Sequence, residues 1–392
     1  MSYNGENRVC ITKQKDYSEQ EVFKVIDSQF QKLGVYDQLK PGMKVLLKPN
    51  LLMESKPGSV IITHPAVTLA AAMCVKKAGA QIIIAESSGG PYIPARMKRL
   101  FSVCGYTEIA EKTGAQLYTD CESREVKLPK AKLCRSTSVV EPFLSADYII
   151  NICKLKTHGM MGMSGAVKNM FGAVPGLMKP ELHCRFPEKP DFAAMIVDLC
   201  EFLKPNLNIM DAVEAMEGNG PTSGEMRFVG AILSAYNPYA LDLAGSQIIS
   251  AVQKDLPILC ESIERGFIDS KPSCLEIIGD SLDELCVKDY KPAKSASADF
   301  ISKAPQFLRP VLGRLARPTP KVNAKRCIGC GKCAESCPQH IIEIKTEIKS
   351  KKAEIMPKDC IRCFCCHEMC PVKAIDVKRW AMFSGKADAN EA

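Results

Sequence analysis

The feature that most constrains this 392-residue chain is a cysteine pattern that occurs twice. Cys327, Cys330, Cys333 and Cys337-Pro338 form the first copy, and Cys360, Cys363, Cys366 and Cys370-Pro371 form the second. Every member of the second copy lies 33 positions after its counterpart. The repeat continues past the cysteines, where Ile341-Ile342-Glu343-Ile344 corresponds to Ala374-Ile375-Asp376-Val377.

The spacing has a chemical reason. Two-residue gaps let three thiolates on one tight loop converge on a single cube of iron and sulfide. The fourth cysteine opens a short helix that points away and reaches the neighbouring cube. Two C-x2-C-x2-C-x3-C-P runs are the bacterial ferredoxin signature for two 4Fe-4S clusters. The expected ligand sets are Cys327, Cys330, Cys333 with Cys370, and Cys360, Cys363, Cys366 with Cys337. Because Cys337 and Cys370 cross between halves, neither cluster is expected to assemble from one half alone. Proline after the fourth cysteine suits a first helical turn, where a missing N–H costs little. Zinc fits less well, since it takes four ligands and usually two C-x2-C pairs. Cys365 falls outside the register and is read as a non-ligand thiol. His340 and His367 are read as groups beside the clusters, because the eight cysteines already fill both sites.

Of the 20 cysteines, the twelve outside these motifs are scattered without a framework, as expected in a reducing cytosol, where a free thiol behaves as a small hydrophobe. The stretch MSYNGENRVC has no apolar signal region, and no run of about 18 apolar residues occurs, so no membrane span is predicted and the expected location is cytoplasmic. The net charge of +8 is concentrated in residues 321–379, which hold 13 Lys/Arg and 7 Asp/Glu, a net of +6. A basic surface there would attract an acidic electron-transfer partner such as a ferredoxin or flavodoxin. Acids are interspersed and no nucleic-acid motif occurs, so no nucleic acid is expected as a partner. A solvated mixed surface is the plainer reading of the same charges.

Upstream, short apolar stretches at 8–12, 43–47, 81–85, 148–152, 207–210, 229–233 and 275–278 read as strands. A helix is expected between Ser18 as cap and Gly34 as stop, with others over 65–77, 94–103, 107–112, 191–203 and 238–252. Residues 115–140 are irregular, with edge strands. The alternation predicts an α/β fold, a mostly parallel sheet covered by helices on both faces, followed by a small C-terminal α+β dicluster ferredoxin-like domain. The expected organisation is an α/β domain over 1–290, a linker over 291–320, a cluster domain over 321–380 and a tail over 381–392. Within the linker, Phe307, Leu308, Val311, Leu312 and Leu315 offer an apolar face.

Lys48-Pro49-Asn50, Glu86-Ser87-Ser88, Lys154-Leu155-Lys156-Thr157-His158 and Asp211 each follow a predicted strand. In a parallel sheet the C-terminal strand ends share one edge, where ligands bind, so these polar groups are expected to converge. Lys48, Lys154, Lys156 and Lys168 supply positive charge, and Asn50, Thr157, Asn169 and Asn219 supply hydrogen bonds. Ser164-Gly165 precedes a predicted helix start, whose N–H groups favour an anion. The expected ligand is a small anionic metabolite carrying a carboxylate or phosphate. His158 and Asp211 are acid/base candidates, and Lys154, Lys156 and Lys168 complete the candidate catalytic set as desolvated bases or Schiff-base nucleophiles. Neither G-x-x-x-x-G-K-S/T nor G-x-G-x-x-G is present, so no nicotinamide or flavin cofactor is predicted. The plainer reading is that each loop lysine or histidine is simply solvated.

Three stretches together resemble the conserved domain called domain of unknown function 362. They are Lys48-Pro49-Asn50, the run from Lys154 to His158 through Gly165-Ala166-Val167-Lys168-Asn169 and Phe171-Gly172, and Asp211 through Glu217-Gly218-Asn219-Gly220-Pro221 with Gly224. The resemblance spans about residues 8–290, and members often carry a C-terminal pair of 4Fe-4S motifs. It implies an iron–sulfur protein, supports treating the lysine-rich motifs as one site, and names no substrate. The resulting expectation is a redox protein, an oxidoreductase if it is an enzyme, that binds an anionic metabolite and exchanges electrons through two 4Fe-4S clusters. The alternatives are a non-catalytic electron-transfer or iron–sulfur carrier protein, and a lyase or isomerase with structural clusters.

Overall fold

In the computed structural model, which describes residues 7–293, 319–347, 350–356 and 358–378, the apolar stretches form one nine-stranded sheet. Its first strands are β1 (Arg8–Lys13), β2 (Lys44–Pro49), β3 (Gln81–Ile84) and β4 (Gln116–Leu117). A hairpin of β5 (Ser123–Lys127) and β6 (Ser136–Val140) pairs separately. The sheet then continues with β7 (Tyr148–His158), β8 (Gly162–Ser164), β9 (Leu207–Glu217), β10 (Glu225–Ala235) and β11 (Glu276–Gly279). The order is β11-β1-β10-β9-β7-β2-β3-β4, with β8 folded back on β7. Along this path only β10 runs against its neighbours, so the C-terminal ends of β9, β7, β2 and β3 lie along one edge.

The helices follow from apolar spacing and clear stops. In the helix Glu19–Leu33, Val22, Ile26, Phe30 and Leu33 recur at helical intervals and are buried. Gly34, at φ +70°, ends it in a left-handed turn that only glycine adopts without strain. This helix packs with Pro65–Lys77 against Val45, Leu47, Ile150, Ile152, Leu207 and Ile209 of the sheet. Each such side chain contributes about 1.5–3 kcal/mol by leaving water. Lys189–Leu203, Pro238–Ile248 and Pro257–Glu264 group with the short helix Ala166–Asn169, which packs on β7.

Two strands are longer than their apolar cores. β7 and β9 each run for eleven residues, so Lys154, Lys156, Thr157 and His158, and likewise Asp211, are strand residues rather than members of following loops. The cause is tertiary pairing. β8 supplies partners to Lys156, Thr157 and His158, and β10 pairs with β9 as far as Glu217. Pro49 also remains within β2, as its last residue opposite Ile152, rather than ending the strand.

The described residues fall into two compact units, 7–182 with 188–293, and 183–187 with the described part of 319–378. The apolar face at 307–315 and the tail at 381–392 lie outside the described residues. In the second unit β12 (Thr319–Val322) pairs with β15 (Ile375–Lys378), and β13 (Ile342–Glu347) pairs with β14 (Ser350–Ile355). The 33-residue repeat is structural: the short helices Lys332–Glu335 and Cys365–Glu368 correspond, as do the starts of β13 and β15. So do the left-handed residues Gly329 and Arg362, Gly331 and Phe364, and His340 and Lys373.

Replacing Gly34 with Ala should lower stability by about 1–2 kcal/mol, the cost of a left-handed residue with a Cβ. The check is a lower urea midpoint by circular dichroism at unchanged iron content.

Candidate functional site

The sheet edge formed by β2, β3, β7 and β9 gathers the polar side chains into two linked centres. Alternation along β7 puts Lys154, Lys156 and His158 on one face, and pairing sets Lys154 beside Asp211 and Lys48 beside Asn151.

The first centre is the Lys48–Glu86 ion pair, with Nζ to Oε2 at 2.6 Å and the two side chains 1% and 3% exposed. Lys48 Nζ also donates to Asn169 Oδ1 at 2.8 Å and to the Pro49 carbonyl at 2.9 Å, so all three ammonium hydrogens have acceptors. Burial pushes the Lys48 pKa down, and the Glu86 carboxylate opposes that shift. Glu86 in turn accepts from the backbone N–H of Leu51 and of Ser87. A Cβ on Gly172 would come within 2.1 Å of Glu86 Oε1 and 2.5 Å of Lys48 Cε, so glycine is required there for close approach. Asn169 continues the network by donating to Asn151, and Asn151 donates to Asn208, each at 2.8 Å.

The second centre surrounds Asp211. Lys154 Nζ donates to Asp211 Oδ2 at 2.9 Å and to the Tyr17 hydroxyl at 2.8 Å, while Tyr17 donates to Asp211 Oδ1 at 2.8 Å. The His64 backbone N–H donates to Asp211 Oδ2, and the His64 ring stacks on Tyr17 with centroids 3.7 Å apart. Burial pulls the His64 imidazole down to about 4, with Lys154 adding to the shift and Asp211 opposing it, so the ring is neutral at pH 7. Burial and the Asp211 charge push the Tyr17 phenol well above its usual range.

Asn50 joins the centres. Its Oδ1 accepts from Lys156 Nζ at 2.6 Å and its Nδ2 donates to Asn169 Oδ1 at 3.1 Å. Lys156 also donates to the Ile61 carbonyl. Thr157 donates to the Met216 carbonyl, and His158 Nδ1 accepts from the N–H groups of Met160 and Met161, which leaves a neutral ring its proton on Nε2. Lys168 is half-buried in the helix Ala166–Asn169. Asn219 is exposed on the turn between β9 and β10, and no described hydrogen bond joins its side chain to this network.

One expected feature is filled from within. The start of the helix after Gly165 holds the Asp242 carboxylate, which accepts from Ala166 N at 2.5 Å and Val167 N at 3.1 Å. A Cβ on Gly165 would lie 2.1 Å from Asp242 Oδ1. Burial pushes the Asp242 pKa up to about 7 while the two backbone N–H groups oppose that shift, and its carboxyl occupies the place where sequence reasoning put a ligand's. Tyr17 and His64 were not among the expected site residues.

In the second unit, Cys327, Cys330, Cys333 and Cys370 line one cavity, and Cys337, Cys360, Cys363 and Cys366 line another. Four soft thiols converging on each cavity fit an iron–sulfur cluster. The backbone N–H groups of Ala353 and Ala374 point at Cys327 Sγ and Cys370 Sγ, at 3.4 and 3.1 Å, where they would stabilise thiolate charge. Cys365 lines neither cavity.

Comparison with known proteins follows the same division. The family described as domain of unknown function (DUF362) matches residues 45–247, and a 4Fe-4S dicluster domain matches residues 326–374. A thylakoid-associated protein of Synechocystis sp. is 32% identical over 247 residues, covering 59% of this chain and 71% of that protein. Among solved structures, the lactate racemase apoprotein of Thermoanaerobacterium thermosaccharolyticum aligns at 13% identity and TM-score 0.39, over 62% of this chain and 57% of that one. A protein from Thermotoga maritima aligns at 10% identity and TM-score 0.37, over 60% of each chain. This chain therefore spans less than two thirds of either solved structure. No helix among the described residues is long and apolar enough to cross a membrane.

Replacing Lys48 with Met should destabilise the fold by about 3–5 kcal/mol, because it leaves Glu86 buried without its charge partner. Adding Glu86→Leu should recover part of that loss. A double-mutant cycle by chemical denaturation measures both.

Proposed function

The chain belongs to the family described as domain of unknown function 362 and carries a 4Fe-4S dicluster domain C-terminal to it, and from that premise we propose an iron–sulfur redox protein whose α/β unit binds a small anionic metabolite. It exchanges electrons through two 4Fe-4S clusters, held by Cys327, Cys330, Cys333 and Cys370, and by Cys337, Cys360, Cys363 and Cys366. The observation that carries the reading is the gathering of Lys48, Lys154, Lys156, Lys168 and Lys179, with Glu86 and Asp211 as ion-paired carboxylates, at the C-terminal edge of parallel strands. Such an edge attracts a carboxylate or phosphate.

The bound clusters supply one-electron transfer at potentials set by hydrogen bonds to sulfur and by solvent exposure. The chain's residues do the rest. Lys156 and Lys154 orient the anion, Asn50 and Asn169 hold the lysines in place, and Asp211 keeps Lys154 and Tyr17 in register. His158, with Nδ1 fixed by two backbone donors, presents Nε2–H for proton transfer. The external partner is an acidic ferredoxin or flavodoxin, drawn by the basic residues of 321–379. A cytoplasmic setting fits free thiols that are mostly buried. One observation favours a second reading, a non-catalytic electron-transfer protein: the Lys48 and Lys154 charges are matched internally by Glu86 and Asp211, as a purely structural scaffold would also require.

Anaerobically purified protein should carry about eight irons, and Cys327→Ser and Cys360→Ser should each remove roughly half. A count near four in the wild type, or stoichiometric zinc, overturns the two-cluster reading. Mass spectrometry of co-purifying small molecules should find an anion that is lost in Lys154→Ala, Lys156→Ala, His158→Ala and Lys168→Ala, with cluster spectra intact. Undiminished retention in all four variants would remove the metabolite site and leave the electron-transfer reading.

A further inference from the structure

The 33-residue repeat gives each residue of one cysteine loop a counterpart in the other, and the two loops meet solvent differently. Ile328 lines the first cavity and is 61% exposed, the most exposed large apolar side chain among the described residues. Its counterpart Ile361 lines the second cavity and is partly buried. Cys330 is exposed, and Cys363 is partly buried. Pro371, next to Cys370 at the first cavity, is exposed, and Pro338, next to Cys337 at the second, is partly buried. Cys327 reverses the trend, being more buried than Cys360, and the cause is local. The β13–β14 hairpin covers it, with Ala353 N–H donating to its Sγ and Lys352 to its carbonyl. The first cavity thus comes to the surface at Ile328, Cys330 and Pro371.

Charge differs in the same sense. Residues 325–333 hold Lys325, Arg326 and Lys332 and no acid, while residues 358–366 hold Lys358 and Arg362 with Asp359. Lys351 adds to the first loop, packing so closely that a Cβ on Gly329 would strike it. Arg326 is matched by Asp376, and among the described residues no carboxylate pairs with Lys325, Lys332 or Lys351. A single exposed isoleucine is ordinary on a protein surface. One that lines a cysteine-lined cavity and has lysines beside it has the composition of a docking surface, an apolar centre with a charged rim. Uncompensated cations on that rim select an acidic partner.

We propose that the loop 327–333 is the docking surface for an acidic protein that carries one electron at a time. Ile328 forms its centre, and Lys325, Lys332 and Lys351 form its basic rim. The proposal rests on the electron-exchange reading above and adds to it a face and an order. Electron transfer weakens steeply with distance, and Cys330 is the exposed ligand, so contact over Ile328 gives the shortest route. The cluster that meets the partner is then the one held by Cys327, Cys330, Cys333 and Cys370, and the one completed by Cys337 is the inner one. Each exchange oxidises one protein by one electron and reduces the other by one, with no bond made or broken in this chain.

The probe is flavodoxin, an acidic flavin protein, and the full chain is used as purified anaerobically. Calorimetry at low ionic strength measures binding of oxidised flavodoxin. Mixing it with chain reduced by dithionite and then desalted follows the blue semiquinone, formed as the flavin takes one electron from the chain and one proton from water. Lys325→Glu with Lys332→Glu should weaken binding at least about tenfold, and Ile328→Ala about threefold. Lys358→Glu with Arg362→Glu, on the second loop, should weaken it less than about twofold. Iron content should be unchanged in every variant. If the second-loop pair weakens binding as much as the first, or neither does, the surface is overturned, and semiquinone formation keeps the electron-exchange reading. If the first-loop pair abolishes binding but the reduced wild type yields no semiquinone, the surface stands and that reading falls. Absence of binding to the wild type overturns the surface, and the semiquinone then reports on the reading alone.

Discussion

The candidate site depends on the pairing of Lys48 with Glu86. Each of these charges, taken alone into the interior, costs several kcal/mol, and their attraction compensates only when the remaining donors and acceptors are also satisfied. Here they are: Lys48 has acceptors for all three hydrogens, and Glu86 receives two backbone N–H groups. The geometry leaves no slack, because Gly172 passes so close that a methyl group would strike both partners. β2, the loop after β3 and the segment from Asn169 to Gly172 are thereby tied to one another. The same pair shapes its surroundings electrically. Burial is what chiefly pushes Lys179 down, to about 7, and the pair acts on it in opposite directions, its anion opposing the shift and its cation adding to it.

The second centre uses a different physical device on the opposite side of the same edge. Asp211 holds Lys154, Tyr17 and the His64 backbone at once, and burial keeps the nearby imidazole neutral. Asn50 connects this side to the first through Lys156 and Asn169. A side-chain amide can donate and accept at once, so it can link a lysine to another amide without adding charge. The Asn169-Asn151-Asn208 chain extends that logic across neighbouring strands, where an unmatched polar group would be expensive.

Local signals in the sequence were legible wherever the structure is decided locally. Gly34 ends its helix as expected, the helix at 65–77 has the expected bounds, and the lysine-bearing motifs, Asn219 apart, lie along one edge, though partly inside the strands rather than after them. The illegible parts depend on distant partners. β7 runs to His158 because β8 returns to pair with it, a fact no periodicity in 148–158 encodes. Tyr17 is 194 residues from the carboxylate it binds. Asp242 caps a helix whose start looked open to a ligand, because the cap comes from 76 residues downstream.

The cluster unit shows where an exact repeat in cysteine spacing hides a physical asymmetry. Both cysteine loops use left-handed residues at the same two positions, but the first copy places glycine there and the second places Arg362 and Phe364. A left-handed residue with a Cβ costs roughly 1–2 kcal/mol, so the second loop holds its shape against a penalty that the first avoids. Packing explains why glycine stays at 329, where a Cβ would meet Lys351 Cβ at 2.4 Å. Cys337 of the first half completes the cavity that Cys360, Cys363 and Cys366 line, so a metal group held there would tie the costlier loop to the cheaper one, and its binding would be coupled to folding in the half that the backbone supports least.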